Sequence, residues 1–201
     1  MKNSILKKIS RFFAEIGNLR RIERTGLTLA GVDNPETLAD HVTRASQIAY
    51  ILAFLEGADP EKTATMVLFH DNAEIRVGDQ HKVASRYFNI GDAETKAFEE
   101  QVNNLPDKLK SMLSSLRLEF EERKTIEAIV AKDADWLEMA LEAKECEEKG
   151  VKIAKQWVEN VRKALETKSA KKLLEFIEKE GDFLNSWWQG LKKMTYKKLY
   201  S

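Results

Sequence analysis

The sequence has few of the residues that cross-link a chain, interrupt helices or cross a membrane. Its single cysteine, Cys146, excludes an internal disulfide and fits a reducing compartment, so we expect a cytoplasmic protein. Only 3 prolines and 9 glycines occur in 201 residues, a composition that suits long solvated helices. No run of about 18 apolar residues is present, so a membrane-spanning helix is not expected.

The chain also lacks an excess of charge of either sign. The 33 Lys and Arg residues balance 33 Asp and Glu residues. There is therefore no basic field of the kind that attracts a nucleic-acid backbone, and we expect no nucleic-acid partner. With 43% hydrophobic and 33% charged residues, the composition is that of a soluble globular protein. A chain of this length suffices for one domain with a substantial core.

Helical periodicity runs through almost the whole chain, and no convincing stretch alternates as a strand would. Near the N-terminus, Ile5, Ile9, Phe12 and Ile16 recur on one helical face. Such a stripe could lie on a membrane surface, but docking on the protein's own core is the commoner arrangement, and we expect no membrane partner. The pattern predicts an all-α fold: one bundle-like domain over residues 1–201 with about seven to nine helices.

Proline, glycine and capping residues indicate where these helices begin and end. The predicted helices are about Lys2–Arg20, Pro35–Glu56, Pro60–Val77, one after Gly91, one after Pro106, Glu119–Lys149, and two more that are separated near Thr167. Apolar stripes at both ends of the chain exceed what one core can readily hide. We therefore expect a homodimer or a higher homo-oligomer.

Two of the three histidines lie on helix faces that should point inward. His41 shares a stripe with Leu38, Ala45 and Leu52, and Asp71, next to His70, shares the inward face of the following helix. An unpaired buried carboxylate is costly, so Asp71 should be paired, protonated or bound to a cation. Imidazole with carboxylate suits Zn, Mn, Fe or Co better than Ca. Inward histidines are also common as hydrogen-bonded core residues, and spacing alone leaves both readings open.

Several segments in the first two thirds of the chain match one family in order and spacing. They are Arg24-Thr25-Gly26, Pro35-Glu36-Thr37 leading to Asp40-His41, His70-Asp71-Asn72-Ala73-Glu74, Gly78-Asp79 and the run Lys132 to Glu138. This pattern resembles the HD-domain metal-dependent phosphohydrolases, especially the branch that includes the 5'-deoxynucleotidases. The resemblance covers about residues 20–142, with the N-terminal helix and the C-terminal helices added to that core.

The resemblance implies that His41, His70, Asp71 and Asp135 bind one divalent cation. The metal could be Co, Mn, Zn, Mg, Fe or Ni. Asp135 follows from the family's motif, in which the ligand lies two residues before a leucine. Helical periodicity alone would turn Asp133 inward more readily, so Asp133 stays the alternative.

Further roles follow once a metal is assumed. Glu74 lies on the same side of its helix as His70 and Asp71, where it could orient a water or pass a proton; otherwise it is a surface acid. Arg24 could clamp a phosphate through its guanidinium. Asp79 could face the opening of the metal site or a sugar hydroxyl, or it could be an acidic residue in a surface turn. His81 has no counterpart in the family and is expected on the surface or in a loop.

The leading hypothesis for function is hydrolysis of deoxynucleoside 5'-monophosphates, with little preference for the base. One alternative is another HD phosphohydrolase that acts on triphosphates, cyclic dinucleotides or alarmones. A second is a non-catalytic helical interaction module with a structural metal. Some deoxynucleotidases carry Trp after the arginine of the substrate loop, where this chain has Thr25. That difference leaves the preference for deoxyribose over ribose open.

Overall fold

The computed structural model describes residues 3–189, and helices are the regular elements of that range. The helices are α1 Asn3–Ile16, α2 Thr25–Leu29, α3 Leu38–Glu56, α4 Pro60–Phe69, α5 Glu74–Val77, α6 Ile90–Val102, α7 Asp107–Glu122, α8 Ile126–Glu148, α9 Ala154–Ala164, α10 Lys168–Lys179 and α11 Phe183–Ser186. Eight of the described helices have ten or more residues, and the predicted all-α fold is confirmed. No helix between residues 3 and 189 is long and apolar enough to cross a membrane.

The main core forms around α8, against which α3, α4 and α9 pack. Alanines recur along α8, and Ala128, Ala131, Ala134 and Ala140 are completely buried. Such small side chains let neighbouring helices approach closely on several sides of α8. The α9 and α10 helices bury Val158, Leu174 and others in the same core, so the C-terminal helices are part of the main packing.

A smaller core lies under the N-terminal helix. Phe12 of α1 is buried there with Phe98 of α6 and Leu113 of α7. Ile9 and Ile16 pack against the same cluster. The apolar stripe of α1 therefore docks on the protein, as its spacing predicts. The predicted first residue of this helix, Lys2, lies outside the described residues.

The boundaries of α3 and α4 depend on side-chain caps. Asp59 caps α4 as predicted, because its carboxylate accepts hydrogen bonds from the backbone N–H groups of Glu61 and Lys62. The predicted start of α3 at Pro35 is wrong. Thr37 caps that helix in a reciprocal box with Asp40, which leaves residues 35–36 in the preceding loop.

Two predicted helices are interrupted. The helix from Pro60 ends at Phe69, and residues 70–73 form a turn before α5 begins, so that His70 and Asp71 lie in a turn at the end of α4. The long helix predicted from Glu119 is divided at Arg123, which adopts a left-handed conformation with φ of 52°. The guanidinium of Arg123 packs 4.2 Å from the ring centre of Trp136, and this contact holds Arg123 in place.

Candidate metal and substrate site

Two histidines and two aspartates come together where the first turn of α3, the turn after α4 and the middle of α8 meet. The Nε2 atom of His41 lies 3.2 Å from Asp135 Oδ1 and 3.6 Å from Asp71 Oδ2. The Nε2 atom of His70 lies 3.0 Å from Asp71 Oδ1 and 3.7 Å from Asp135 Oδ1. His41, His70 and Asp71 each offer one donor atom within 4.8 Å of the others. The four residues expected to form a metal site are therefore neighbours.

Hydrogen bonds on the far side of each ring fix which nitrogen faces this cluster. Nδ1 of His70 lies 2.6 Å from the carbonyl oxygen of Val67, which can only accept a hydrogen bond. Nδ1 of His41 hydrogen-bonds the buried carboxylate of Glu138. Each ring thus keeps a proton on Nδ1, and the Nε2 that faces the aspartates could give its lone pair to a metal, which is the arrangement of metal-binding histidines.

The cluster fits a divalent cation. Among the described residues, the fully buried Nε2 of His41 has no hydrogen-bond partner, because its approach to Asp135 is short without being aligned as a hydrogen bond. Burial lowers the pKa of His41, but the carboxylates of Asp135 and Glu138 outweigh burial and raise that pKa to about 10. The surroundings therefore favour a positive charge at this point. Two neutral imidazoles and two carboxylates carry a net charge that a divalent cation would neutralise.

Asp135 and Asp133 face different surroundings although both are buried. One oxygen of Asp135 approaches the histidines, and the other accepts a hydrogen bond of 2.9 Å from Lys132. Burial opposes ionisation of Asp135, but Lys132 and the histidines hold its pKa well below the usual range. Asp133 accepts hydrogen bonds from the backbone N–H groups that precede α10. The geometry places Asp135, rather than Asp133, beside the histidines.

Arg24 and Glu74 lie close to Asp71 of the cluster. Arg24 Nη1 is 3.5 Å from Asp71 Oδ2. Glu74 is largely buried, and its Oε2 has no hydrogen-bond partner among residues 3–189. Burial, followed by the negative charges of Asp71 and Asp79, raises the pKa of Glu74 to about 10. Glu74 is therefore a neutral acid close to a guanidinium.

Asp79 fixes the loop that carries Arg24. Its Oδ2 accepts hydrogen bonds from the backbone N–H and, at 2.8 Å, from the hydroxyl of Thr25. Gly78, with φ of 77°, makes the turn that directs Asp79 toward this loop. The position at which some family members carry Trp thus holds Thr25 in a different role, as the partner of Asp79.

A cavity of about 380 Å³ opens next to Arg24 and Asp79. His81 lies on its wall, and its Nδ1 accepts a hydrogen bond from the backbone N–H of Ala84. Glu36 lines the same cavity, and burial together with the charge of Glu138 raises its pKa to about 8. Residues of α9 also line the cavity, and no functional residue was identified there from the sequence. The contribution of α9, like that of Glu138, depends on long-range packing that periodicity does not report.

The fold and the site together define a class: all-α proteins with a cluster of histidines and aspartates that could hold a metal, beside a ligand-sized cavity. Residues 16–177 match the HD domain family. A 5'-deoxynucleotidase of Xenopus laevis is 33% identical over 143 residues, which is 71% of each chain, and that of Homo sapiens is 30% identical over 147 residues, which is 71% of this chain and 70% of the relative. The chain belongs to the HD domain family, whose members depend on a metal.

Solved structures agree with this assignment. A conserved hypothetical protein from Pyrococcus furiosus is 29% identical, with a TM-score of 0.71, over 85% of this chain and 99% of that one. A predicted metal-dependent phosphohydrolase from Magnetospirillum magnetotacticum, 24% identical with a TM-score of 0.69, covers 87% of this chain and 91% of its own and shares the fold.

Proposed function

We propose that this protein is a metal-dependent 5'-deoxynucleotidase, which converts deoxynucleoside 5'-monophosphates to nucleosides and phosphate. The position of Arg24 carries the proposal. Its guanidinium contacts Asp71 of the cluster and also lines the cavity, so a phosphate bound there would lie between metal and pocket. The relatives named 5'-deoxynucleotidases support the same activity.

In this proposal His41, His70, Asp71 and Asp135 hold one divalent cation, whose identity among Co, Mn, Zn, Mg, Fe and Ni is left to measurement. When bound, the cation supplies positive charge for the phosphate and makes water acidic enough to react near neutral pH. Glu138 keeps the ring of His41 in its coordinating tautomer. Lys132 neutralises the oxygen of Asp135 that faces away from the histidines.

Arg24 and Glu74 act on the substrate itself. Arg24 donates hydrogen bonds to the phosphate oxygens, and Asp79 positions the arginine's loop and faces the sugar. Hydrolysis breaks the bond between phosphorus and the 5' oxygen, and the departing oxygen needs a proton. Burial and the nearby carboxylates raise the pKa of Glu74, which favours its protonated form, and we assign it as the donor. Arg24 and Lys82 line the cavity, and together with one cation they offer less positive charge than a triphosphate needs.

The proposal is tested by phosphate release from deoxynucleoside and ribonucleoside mono- and triphosphates, measured with each candidate metal after EDTA treatment. We expect His70→Ala and Asp71→Ala to lose bound metal and activity. His81→Ala is the matched control for metal content, since His81 lies outside the cluster. Full activity after EDTA and in both variants would remove the proposal. If triphosphates were the best substrates, the alternative HD phosphohydrolase activity would replace it.

The remaining expectations from the sequence stay predictions. They are cytoplasmic location, assembly as a homodimer or higher homo-oligomer, and the absence of nucleic-acid and membrane partners. The preference for deoxyribose over ribose also stays a prediction, and the substrate panel tests it.

A further inference from the structure

The cavity is larger than a phosphate and a sugar require. Its volume of about 380 Å³ lies within the range of small-molecule pockets. Arg24 and Asp79, beside the metal cluster, line this cavity together with residues of α9. A nucleoside monophosphate whose phosphate contacts Arg24 would therefore place its base toward α9.

The side of α9 that faces the cavity carries Trp157 and Asn160. Ala154, Val158 and Val161 form the buried stripe of this helix. Trp157 lies at the edge of that stripe, and Asn160 lies one step further round the helix. Both residues therefore turn to the same side, with the aromatic ring deeper and the amide near the rim.

The chemistry of this wall suits a nucleobase. Trp157 is partly buried and packs against the main core, which holds its ring in place before any ligand binds. Leu29, Val83 and Met139 extend the apolar surface around it. A base has an apolar face that stacks on aromatic rings and a polar edge that needs hydrogen bonds. The amide of Asn160 offers both a donor and an acceptor for such an edge.

We propose that α9 forms a nucleobase site in which Trp157 stacks on the base and Asn160 hydrogen-bonds its edge. The inference rests on the proposed function for the identity of the ligand as a nucleotide. It makes the base an element of recognition, so that the protein distinguishes a nucleotide from a bare sugar phosphate. The proposal departs from the expectation, drawn from the sequence, of little preference for the base.

The experiment compares deoxyadenosine 5'-monophosphate with 2-deoxyribose 5-phosphate, which shares the phosphate and the sugar but has no base. We expect Trp157→Leu to lower kcat/KM for the nucleotide about ten- to hundredfold and to leave the sugar phosphate within about twofold. Asn160→Ala should lower the nucleotide value about two- to tenfold. Trp157→Phe retains an aromatic face and should therefore keep most of the preference for the nucleotide over the sugar phosphate.

Two control variants separate this effect from loss of structure. Gln156→Ala removes another exposed amide from α9, and Trp187→Ala removes an exposed tryptophan outside the cavity. Neither should change the ratio between the two substrates. Equal losses on both substrates in Trp157→Leu, or no loss on either, would overturn the nucleobase site while leaving the nucleotidase proposal intact.

A binding measurement separates this inference from the proposed function. Calorimetric titration of the same two compounds into wild type and Trp157→Leu needs no turnover. If wild type hydrolysed neither compound, tighter binding of the nucleotide that is lost in Trp157→Leu would still support the site. Equal affinity for both compounds in wild type would overturn it.

Discussion

The carboxylate of Glu138 joins two buried parts of the site, since one oxygen hydrogen-bonds Nδ1 of His41 and the other accepts a hydrogen bond of 2.8 Å from Arg44 Nε. Burial opposes ionisation of Glu138, but these two partners lower its pKa, so it stays a carboxylate. A carboxylate that accepts a hydrogen bond from Nδ1–H makes Nε2 of the same ring a better electron donor. Glu138 thus tunes the proposed metal site without touching the metal.

We expect Glu138→Gln to weaken metal binding about 10- to 100-fold, because a neutral amide polarises the His41 ring less than a carboxylate does. Competition with a calibrated chelator measures the affinity. Glu147→Gln is a matched control on the same helix, where the nearest cation, Lys144, is 3.9 Å away. Unchanged affinity in Glu138→Gln would show that the ring needs no anionic partner.

Glu74→Gln should keep the metal and lose activity. The amide retains the size of the side chain but has no proton to give to the departing oxygen. Loss of a well-placed acid typically lowers kcat about a hundred- to ten-thousand-fold. Metal content and kcat measured on one preparation check both parts, with the exposed Glu99→Gln on α6 as control. Turnover within a few-fold of wild type would remove Glu74 from the mechanism.

Substitution of the two aspartates of α8 should have different effects, on stability for Asp133 and on metal binding for Asp135. Asp133→Ala leaves the backbone N–H groups of Glu166 and Thr167 without their acceptor, at about 1–3 kcal/mol of unfolding free energy. Its metal content should match wild type. Asp135→Ala should lose metal instead. Denaturant melts and metal analysis of both variants test this, and metal loss in Asp133→Ala alone would reverse the assignment.

The periodicity of α8 could not decide between these aspartates because this helix is buried on several sides. A stripe predicts orientation only where one face is exposed to solvent. The inward position of His41 was predictable because α3 has an exposed face, which includes Ile51. Asp71 lies in the turn after α4, where helical spacing no longer applies. The family's motif, rather than spacing, identified Asp135.

Local capping signals predicted most of the helix ends, and the exceptions have local as well as tertiary causes. Asp59-Pro60 is a start signal that needs no distant partner. The break at Arg123 depends on packing against Trp136, on the next helix, and a left-handed arginine has no sequence signature. The wall formed by Trp157 was likewise hidden, because only the fold brings α9 to the loop of Arg24.

Cys146 should be almost unreactive in the folded protein. It is buried, and burial together with the neighbouring carboxylate of Glu142 raises the pKa of its thiol to about 12. At pH 8 only about one thiol in ten thousand would be a thiolate, which is the reactive form. Labelling with a disulfide reagent should be slow in buffer and complete in denaturant. Rapid labelling of the native protein would contradict this burial.

The outer face of α3 carries an exposed apolar patch that is suited to self-association. Ile51, Phe54 and Leu55 lie side by side on it, and Phe54 is 75% exposed. A contiguous apolar patch of this kind typically marks a contact surface, and a twofold dimer would cover it on both copies. The patch supports the homodimer expected from the sequence.

Phe54→Glu should therefore shift the protein toward monomer, because a charge at the centre of an apolar contact is desolvated on both copies at once. Light scattering coupled to size-exclusion chromatography at micromolar concentration measures the mass. Phe176→Glu on α10 is the matched control, since that phenylalanine is 66% exposed but lies on another helix. If wild type elutes as a monomer, the dimer prediction is wrong. If wild type is dimeric and Phe54→Glu is equally so, the contact lies elsewhere than on α3.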